Sequence, residues 1–173
     1  MQEAADQNPG GMAAVIGMDE VTLEEICQET GVEIANVNAD SQIVISGDRI
    51  SLARAMDLAL ARGARRVVPL QVSGAFHTRL MAPARDGMAE ALEKVRFSDP
   101  RVPIIANCNA APLTSSHALK EELIQQMCTS VKWRESVAFM VEQGVSHFLE
   151  IGPGRILTGL VKRVSQEVET TNI

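Results

Sequence analysis

Over residues 11–72, several segments alternate apolar and polar positions with the two-residue period of β-strands. Two other segments repeat their apolar positions with the longer period of amphipathic helices. The run VEIANVN alternates and is followed, after a short polar link, by QIVISG, which predicts a hairpin. Gly31 predicts the end of the first helix, and the Thr22–Glu25 spacing predicts a capping box at its start. The predicted elements are a strand over 11–18, a helix over 21–31, strands over 32–38 and 42–47, a helix over 49–62 and a strand over 64–72. This order predicts the split βαβ arrangement of a ferredoxin-like subdomain over 11–71.

Beyond residue 77 the pattern changes to helices that alternate with single strands. The predicted elements are helices over 78–94, 116–128, 133–143 and 155–164 and strands over 102–107 and 146–151. Such alternation is typical of an α/β fold with a parallel sheet, but two strands alone do not make a stable doubly wound sheet. We therefore expect residues 72–164 to be one portion of a larger α/β domain. The polar residues 165–173 are expected to form a frayed tail.

Composition narrows the function classes. Of the 173 residues, 46% are hydrophobic and 22% are charged, which is the balance of a globular protein. The formal net charge of −6 argues against a nucleic-acid or anionic-membrane surface. No apolar run approaches the ~20 residues that cross a bilayer, and the polar N-terminus has no signal-peptide pattern. The widely spaced cysteines, Cys27, Cys108 and Cys128, match no metal-ligand spacing and are expected to be free thiols in a reducing cytoplasm.

The stretch LQVSGAFHTRLMAP, residues 70–83, carries the first candidate for chemistry. It places His77 between a predicted strand and a predicted helix, where α/β folds commonly hold reactive groups. His77 could act as a general base, or it could simply hydrogen-bond a nearby carbonyl. A base needs a nucleophile within hydrogen-bond reach, and the chain contains no G-x-S-x-G elbow. Nothing in the sequence places Cys108 near His77, and His117 and His147 are interpreted as structural.

Two further motifs leave alternatives open. In EIGPGRILTGLVKR, Gly152 and Gly154 lie between a strand and a helix, which is a weak phosphate-loop signal and favours a structural turn. In NVNADSQIVISG, alternation predicts that Asn36 and Asn38 face the same side of a strand. Their amides could bind polar groups of a ligand, or they could satisfy buried backbone at a turn.

Taken together, these motifs resemble one family. The matching stretches are GGMAAVIGM, NVNADSQIVISG, VPLQVSGAFHTRLMAPA, VPIIANCNAAP and LIQQMCTSVKWRESVAFMVEQGVSHFLEIGPGRILTGLVKR. In this order they are similar to the C-terminal part of the malonyl-CoA:acyl carrier protein transacylases, the malonyl-loading enzymes of fatty acid synthesis. The resemblance covers almost all of residues 1–164, and the combination is far more specific than any single motif.

The resemblance implies a fold, an activity and a set of site residues. The implied fold is an α/β-hydrolase-like acyltransferase domain with a ferredoxin-like small domain, and the implied activity is [acyl-carrier-protein] S-malonyltransferase without a cofactor or metal. His77 matches the family's catalytic base, and Gln126 matches the residue whose main-chain carbonyl orients that base. Phe76 matches a residue that favours malonyl over bulkier extender groups, and Asn38 is a candidate substrate-binding residue.

The family's serine nucleophile belongs to a segment upstream of the one that this chain matches. We therefore expect the implied partners to be malonyl-CoA, acyl carrier protein and an N-terminal fragment that carries the nucleophile. One alternative is a non-catalytic fragment that binds acyl carrier protein, and another is a fragment without a stable fold. The candidate basic contacts for the acidic carrier protein are Arg62, Arg65, Arg66, Lys162 and Arg163.

Overall fold

The computed structural model describes residues 1–173 as eight strands, seven helices and one 3₁₀ turn. The strands are β1 Gly10–Ile16, β2 Glu33–Ala39, β3 Gln42–Asp48, β4 Arg66–Pro69, β5 Ile104–Ile105, β6 Pro112–Leu113, β7 His147–Glu150 and β8 Glu169–Asn172. The helices are α1 Gln2–Gln7, α2 Glu20–Thr30, α3 Arg49–Ala61, α4 Ala82–Glu93, α5 Ser116–Gln125, α6 Trp133–Glu142 and α7 Ile156–Val164, and the 3₁₀ turn is Arg79–Met81. None of these helices combines the length and the hydrophobicity that a membrane span requires.

The first part of the chain forms a four-stranded antiparallel sheet with the spatial order β2-β3-β1-β4. Its element order is strand, helix, strand, strand, helix, strand, as the alternation predicts. Helices α2 and α3 pack on one face, and a cluster of thirteen buried residues fills the space between helices and sheet. The other face carries a smaller cluster around Met12, Ala14, Ala35 and Val44. Both faces of the sheet are therefore covered, and the second face is the one that meets the rest of the chain.

The helix ends in this part follow from single residues. Asp19, rather than a Thr22–Glu25 capping box, caps α2, because its carboxylate accepts the amide of Thr22 at 2.9 Å and the Thr22 hydroxyl at 2.8 Å. The predicted capping box is therefore wrong. Gly31 ends α2 as predicted, in a left-handed conformation with φ +83° that glycine adopts without steric cost.

The second part has the predicted helices, but its strands pair differently from the expectation. The strand expected over 102–107 is reduced to β5, which forms a short antiparallel hairpin with β6. Strand β7 does not pair with it and instead pairs in parallel with β8. The expected frayed tail is wrong for this reason: residues Glu169–Asn172 form β8, and Val168 before them is buried in a cluster with Val137 and Val161.

Main-chain and side-chain contacts join the two parts of the chain. Val131 extends the edge of β2, since the amide of Val37 donates to its carbonyl at 2.9 Å and its own amide donates to the carbonyl of Ala35 at 2.8 Å. Arg134 of α6 pairs with Glu20 at 3.0 Å and with Asp40 at 3.2 Å. The segment between α5 and α6 is therefore anchored to the sheet edge, and this segment contains part of the candidate site.

Candidate active site around His77

His77 lies in the connection that leads from β4 to the 3₁₀ turn Arg79–Met81 and α4. The predicted strand-to-helix junction is present, although β4 ends earlier, at Pro69. His77 has a backbone φ of +60°, a left-handed conformation that is uncommon for residues other than glycine. Its side chain is half-buried. Strained backbone conformations occur more often at functional sites than elsewhere, which makes this half-buried histidine a candidate.

The imidazole of His77 is oriented by a main-chain carbonyl. Its Nδ1 lies 2.8 Å from the carbonyl oxygen of Gln126, which is 49 positions away in the sequence. A carbonyl oxygen only accepts hydrogen bonds, so the contact requires the proton on Nδ1. The neutral ring then presents an unprotonated Nε2, and Nε2 makes no hydrogen bond within the chain. In this tautomer the outward nitrogen can accept a proton, which is what a general base must do.

The carbonyl of Gln126 is free for this contact because of where α5 ends. Gln126 is the residue that follows α5, and its amide closes the last turn by donating to Glu122 at 2.9 Å. The next amides donate to Ile124 and Gln125, so no main-chain amide uses the carbonyl of Gln126. Carbonyls at helix C-termini lack an intrahelical partner and carry partial negative charge. The histidine ring therefore satisfies an acceptor that the helix leaves unused.

The other two candidate residues lie on the sheet side of the site. Phe76 precedes His77 and packs, with Leu70, against the second face of the four-stranded sheet. Asn38 is half-buried on β2, and no measured contact brings it to His77. The β2–β3 register shifts between Ile34 and Asn36 and again between Val37 and Ala39. Despite these bulges, Ala35, Val37 and Ala39 are buried whereas Asn36 and Asn38 are half-buried, which is the alternation that the sequence predicts.

The loop EIGPGRIL is held by an acidic side chain. Gly152 and Gly154 adopt φ values of +140° and +93°. The carboxylate of Glu150 accepts the hydroxyl of Thr158 at 2.5 Å, its amide at 2.8 Å and the amide of Leu157 at 3.1 Å. The Thr158 hydroxyl, followed by the two amides, keeps the pKa of Glu150 below its ordinary value. These contacts support the structural-turn interpretation, in which Glu150 closes the loop by capping α7.

The thiols have properties that do not suit nucleophiles. Burial raises the pKa of Cys27 to about 12, and burial together with the nearby Glu122 raises the pKa of Cys108 to about 11. At neutral pH both are protonated, whereas the thiolate is the reactive form. No group of three or more histidine, cysteine or acidic side chains is arranged to hold a metal ion.

The remaining histidines make surface contacts. His117 lies 3.4 Å from Glu121 one helical turn away, and His147 contacts Thr171 at 2.8 Å across the β7–β8 pair. Both contacts agree with the structural interpretation of these residues.

Three of the five candidate basic contacts are already engaged within the chain. Arg62 pairs with Glu29 at 2.6 Å, the ammonium of Lys162 donates to the carbonyl of Val168 at 2.5 Å, and Arg163 donates to Gln42. Arg65, directly before β4, and Arg66, the first residue of β4, are exposed and form no ion pair within the chain.

Sequence reasoning missed one residue of the site, Thr78. It is fully buried, with 0% exposure, and its hydroxyl accepts the amide of Leu80 at 3.2 Å as the cap of the 3₁₀ turn. Threonine is a favoured N-cap residue, but the helix predicted over 78–94 included Thr78 as its first residue, so its role as a cap was missed.

Comparison with known proteins identifies the family of the chain. The sequence profile of the family described as "Acyl transferase domain" matches residues 1–173. The chain belongs to the acyl transferase domain family. Within this family it is 41% identical to the malonyl CoA-acyl carrier protein transacylase of Bacillus subtilis over 98% of its length, and 40% identical to that of Escherichia coli K12 over 95%.

Solved structures of acyl transferases have the same fold. The acyl-carrier-protein S-malonyltransferase of Bartonella henselae superimposes with a TM-score of 0.91 at 39% identity, over 95% of this chain. A chain from the complex of a type II PKS acyl-carrier protein with its malonyl-transacylase gives a TM-score of 0.95 at 38% identity, over 99% of this chain. The chain spans about 55% of the length of the curated relatives and 54% to 57% of these solved chains. It therefore has the α/β fold of malonyl-transacylases over the segment that it matches.

Proposed function

We propose that the chain is the base-carrying part of an [acyl-carrier-protein] S-malonyltransferase, which moves malonyl from coenzyme A to the phosphopantetheine thiol of acyl carrier protein. The observation that carries this proposal is the 2.8 Å contact from His77 Nδ1 to the carbonyl of Gln126, which leaves Nε2 free to accept a proton. The names of the relatives supply the substrates. In finer detail, residues 11–71 are proposed to be a ferredoxin-like small subdomain, and residues 72–164 a portion of an α/β-hydrolase-like large domain. Residues 165–173, expected to be a separate tail, are assigned to that large-domain portion because β8 pairs with β7.

In the proposed mechanism His77 acts twice as a base and twice as an acid. Nε2 takes the proton of a serine hydroxyl as the serine oxygen bonds to the malonyl carbonyl carbon, and it returns that proton to the sulfur of coenzyme A as the carbon–sulfur bond breaks. In the second half the phosphopantetheine thiol gives its proton to Nε2 and attacks the malonyl-serine ester. The serine oxygen then leaves with the proton. Gln126 keeps the ring in one tautomer throughout, as a carboxylate does in a serine-protease triad.

The serine must come from outside these 173 residues, since they contain no G-x-S-x-G elbow. A partner segment that carries the nucleophile also suits the surface of the second part. Ile151 and Ile156, on either side of the G-P-G loop, are 78% and 77% exposed, and Leu149 on β7 is 52% exposed. Large apolar side chains this exposed, close together in the sequence, suit a surface that another element covers. We assign that role to the segment with the nucleophile.

Two residues are proposed to contact the acyl group. Phe76 packs against the buried cluster around Met12 and Ala14 on the sheet, and this packing would restrict movement of its ring away from an α-substituent of the acyl group. Pocket discrimination of one methyl is worth about 1–3 kcal/mol, so Phe76 would favour malonyl over methylmalonyl by a modest factor. Asn38 is proposed as a polar contact to the substrate, supported by its half-buried position at a bulge of β2.

A hybrid protein tests the proposal. The chain is joined to the N-terminal part of the Bacillus subtilis relative, and transfer of labelled malonyl from malonyl-CoA to the carrier protein is measured. His77→Gln should slow transfer by about 10²–10⁴-fold, the usual contribution of a positioned base. The matched control is His117→Gln, which changes an exposed histidine and should leave the rate unchanged. A folded hybrid that transfers nothing, or one that works as fast with His77→Gln, overturns the proposal.

A further inference from the structure

The hydroxyl of Thr78 bridges the main chain on both sides of His77. Its Oγ1 donates to the carbonyl of Ala75 at 2.7 Å and accepts the amide of Leu80 at 3.2 Å. Thr78 and Ala75 are both fully buried. The hydroxyl thus uses one donor and one acceptor to connect the residue two positions before His77 with the residue three positions after it.

His77 needs such a constraint because its backbone conformation is unfavourable. A left-handed φ of +60° brings Cβ too close to the following carbonyl in an L-residue, and it persists only where the surroundings determine it. The segment before His77 is fixed by close packing: a Cβ on Gly74 would meet Cβ of Ala5 at 2.7 Å. After His77, the carbonyl of Thr78 accepts the amide of Met81 at 3.0 Å and begins the 3₁₀ turn. Thr78 is the one side chain whose hydrogen bonds span both sides of His77.

We propose that Thr78 is a positioning residue for His77, whose hydroxyl holds the left-handed backbone and thereby keeps Nδ1 directed at the carbonyl of Gln126. Relaxation of the His77 backbone out of the left-handed region would rotate the direction in which the imidazole leaves the main chain. A contact of 2.8 Å does not survive such a rotation. The catalytic consequence of this proposal rests on the proposed function, whereas the structural consequence does not.

A spectroscopic measurement on the chain itself tests the structural consequence. Imidazole ¹⁵N shifts, recorded in mildly alkaline buffer, report which ring nitrogen carries the proton. The wild-type chain should show His77 as a single Nδ1–H tautomer. Thr78→Val keeps the shape and removes the hydroxyl, and it should give averaged nitrogen shifts and a fast-exchanging ring proton. Thr78→Ser keeps the hydroxyl and should restore the wild-type signals.

A matched control separates positioning from simple loss of stability. Thr30 is also buried, and its hydroxyl donates to the carbonyl of Ile26 at 2.6 Å, within α2. Thr30→Val should lower the midpoint of unfolding but leave the His77 tautomer unchanged. A folded Thr78→Val chain with wild-type His77 shifts overturns the proposal.

Two further measurements keep the proposal testable. If Thr78→Val does not fold, hydrogen exchange in the wild-type chain replaces it. The amide of Leu80 and the Nδ1 proton of His77 should both be protected relative to their own unprotected rates, and an unprotected Leu80 amide contradicts the bridge. In the hybrid enzyme, Thr78→Val should lower kcat at least tenfold with KM little changed, and Thr78→Ser should recover it. A hybrid in which His77→Gln has no effect refutes the proposed function but leaves the tautomer result standing.

Discussion

Gly10→Ala is predicted to destabilise the chain because Gly10 lies at a point where three segments meet. A Cβ on Gly10 would lie 2.6 Å from the carbonyl oxygen of Gly47 and 2.7 Å from Cβ of Ala75. The first contact is with the backbone of β3, and the second is with a side chain that has no rotatable bond. Neither can move away without moving its main chain, and Ala75 is only two residues before His77.

The size of the effect follows from these contacts. Insertion of a methyl into a closely packed site costs about 1–3 kcal/mol. The loss of glycine flexibility in the unfolded chain offsets about 0.4–1 kcal/mol of this. The free energy of unfolding should therefore fall by about 1–2 kcal/mol. For a chain of this size that corresponds to a fall in Tm of roughly 2–8 °C.

The neighbouring glycine is the matched control. A Cβ on Gly11 would meet only Cδ2 of Leu52, at 3.3 Å, which is the far end of a flexible side chain. Gly11→Ala should therefore cost less than Gly10→Ala, because Cδ2 of Leu52 can shift by a few tenths of an ångström whereas the backbone of Gly47 cannot. Urea denaturation of both variants gives the comparison, and ¹⁵N shifts of His77 report whether Ala75 has moved. Equal stabilities of the two variants would show that the close approach at Gly10 is not a constraint.

Other predictions concern helix ends and the carrier-protein surface. Gly31→Ala should lower the free energy of unfolding by about 1–2 kcal/mol, because alanine is strained at the positive φ of this position. Gly87→Ala should raise the free energy of unfolding by about 0.5–1 kcal/mol, because Gly87 lies inside α4 with open space around it. Thermal melts of the two variants should therefore shift in opposite directions. Asp48→Ala should cost about 1 kcal/mol because the carboxylate caps α3 by accepting two amides at 3.0 Å. These hydrogen bonds, the one from Ser51 first, hold the pKa of Asp48 below its ordinary value of 3.8, so its stabilisation is complete above that value and is lost as pH falls through the lowered pKa. The urea midpoints of the wild-type and Asp48→Ala chains should therefore differ at neutral pH and converge at strongly acidic pH. Arg65→Glu should weaken binding of the hybrid to acyl carrier protein at low salt and have less effect as salt is added, and titrations that show no salt dependence would exclude this contact.

The first part of the fold was predictable because its signals are local. The alternation of residues 32–47 marks a hairpin without reference to any other segment, and Gly31 marks a helix end by its own conformational freedom. The capping box at Thr22 failed for a local reason as well. Asp19 stands three residues earlier and is as good a cap as any threonine, so the spacing alone did not decide between them.

The strands of the second part were harder to predict because their pairing is not local. The apolar run over 102–107 is typical of a buried strand, yet only Ile104 and Ile105 pair, and they pair with Pro112–Leu113. The tail looked polar and therefore mobile. Strand β8 nonetheless forms because β7 offers it a free edge and because Val168 anchors its start in a buried cluster.

The candidate site was predictable only in pieces. The junction that holds His77 follows from the change of hydrophobic period, but its φ of +60° does not, since only a small minority of histidines adopt a left-handed conformation. The contact with Gln126 joins segments 49 positions apart, and family resemblance rather than periodicity suggested it. Register shifts in β2 likewise cannot be deduced from alternation, although the alternating burial of residues 35–39 is as predicted.

The orientation of His77 depends on both parts of the chain at once. The imidazole belongs to a connection that packs on the sheet through Phe76, whereas the carbonyl that it contacts belongs to the segment between α5 and α6. That segment is held at the sheet edge by two main-chain hydrogen bonds of Val131. The end of α5 does not by itself fix where the Gln126 carbonyl lies relative to the sheet. The hydrogen bonds between Val131 and β2 fix that position, because they attach the segment that follows α5 to the sheet edge. The tautomer of His77 therefore reports on the docking of the two parts. A substitution confined to the β2 edge should alter the His77 tautomer even though the substituted residue does not contact the imidazole.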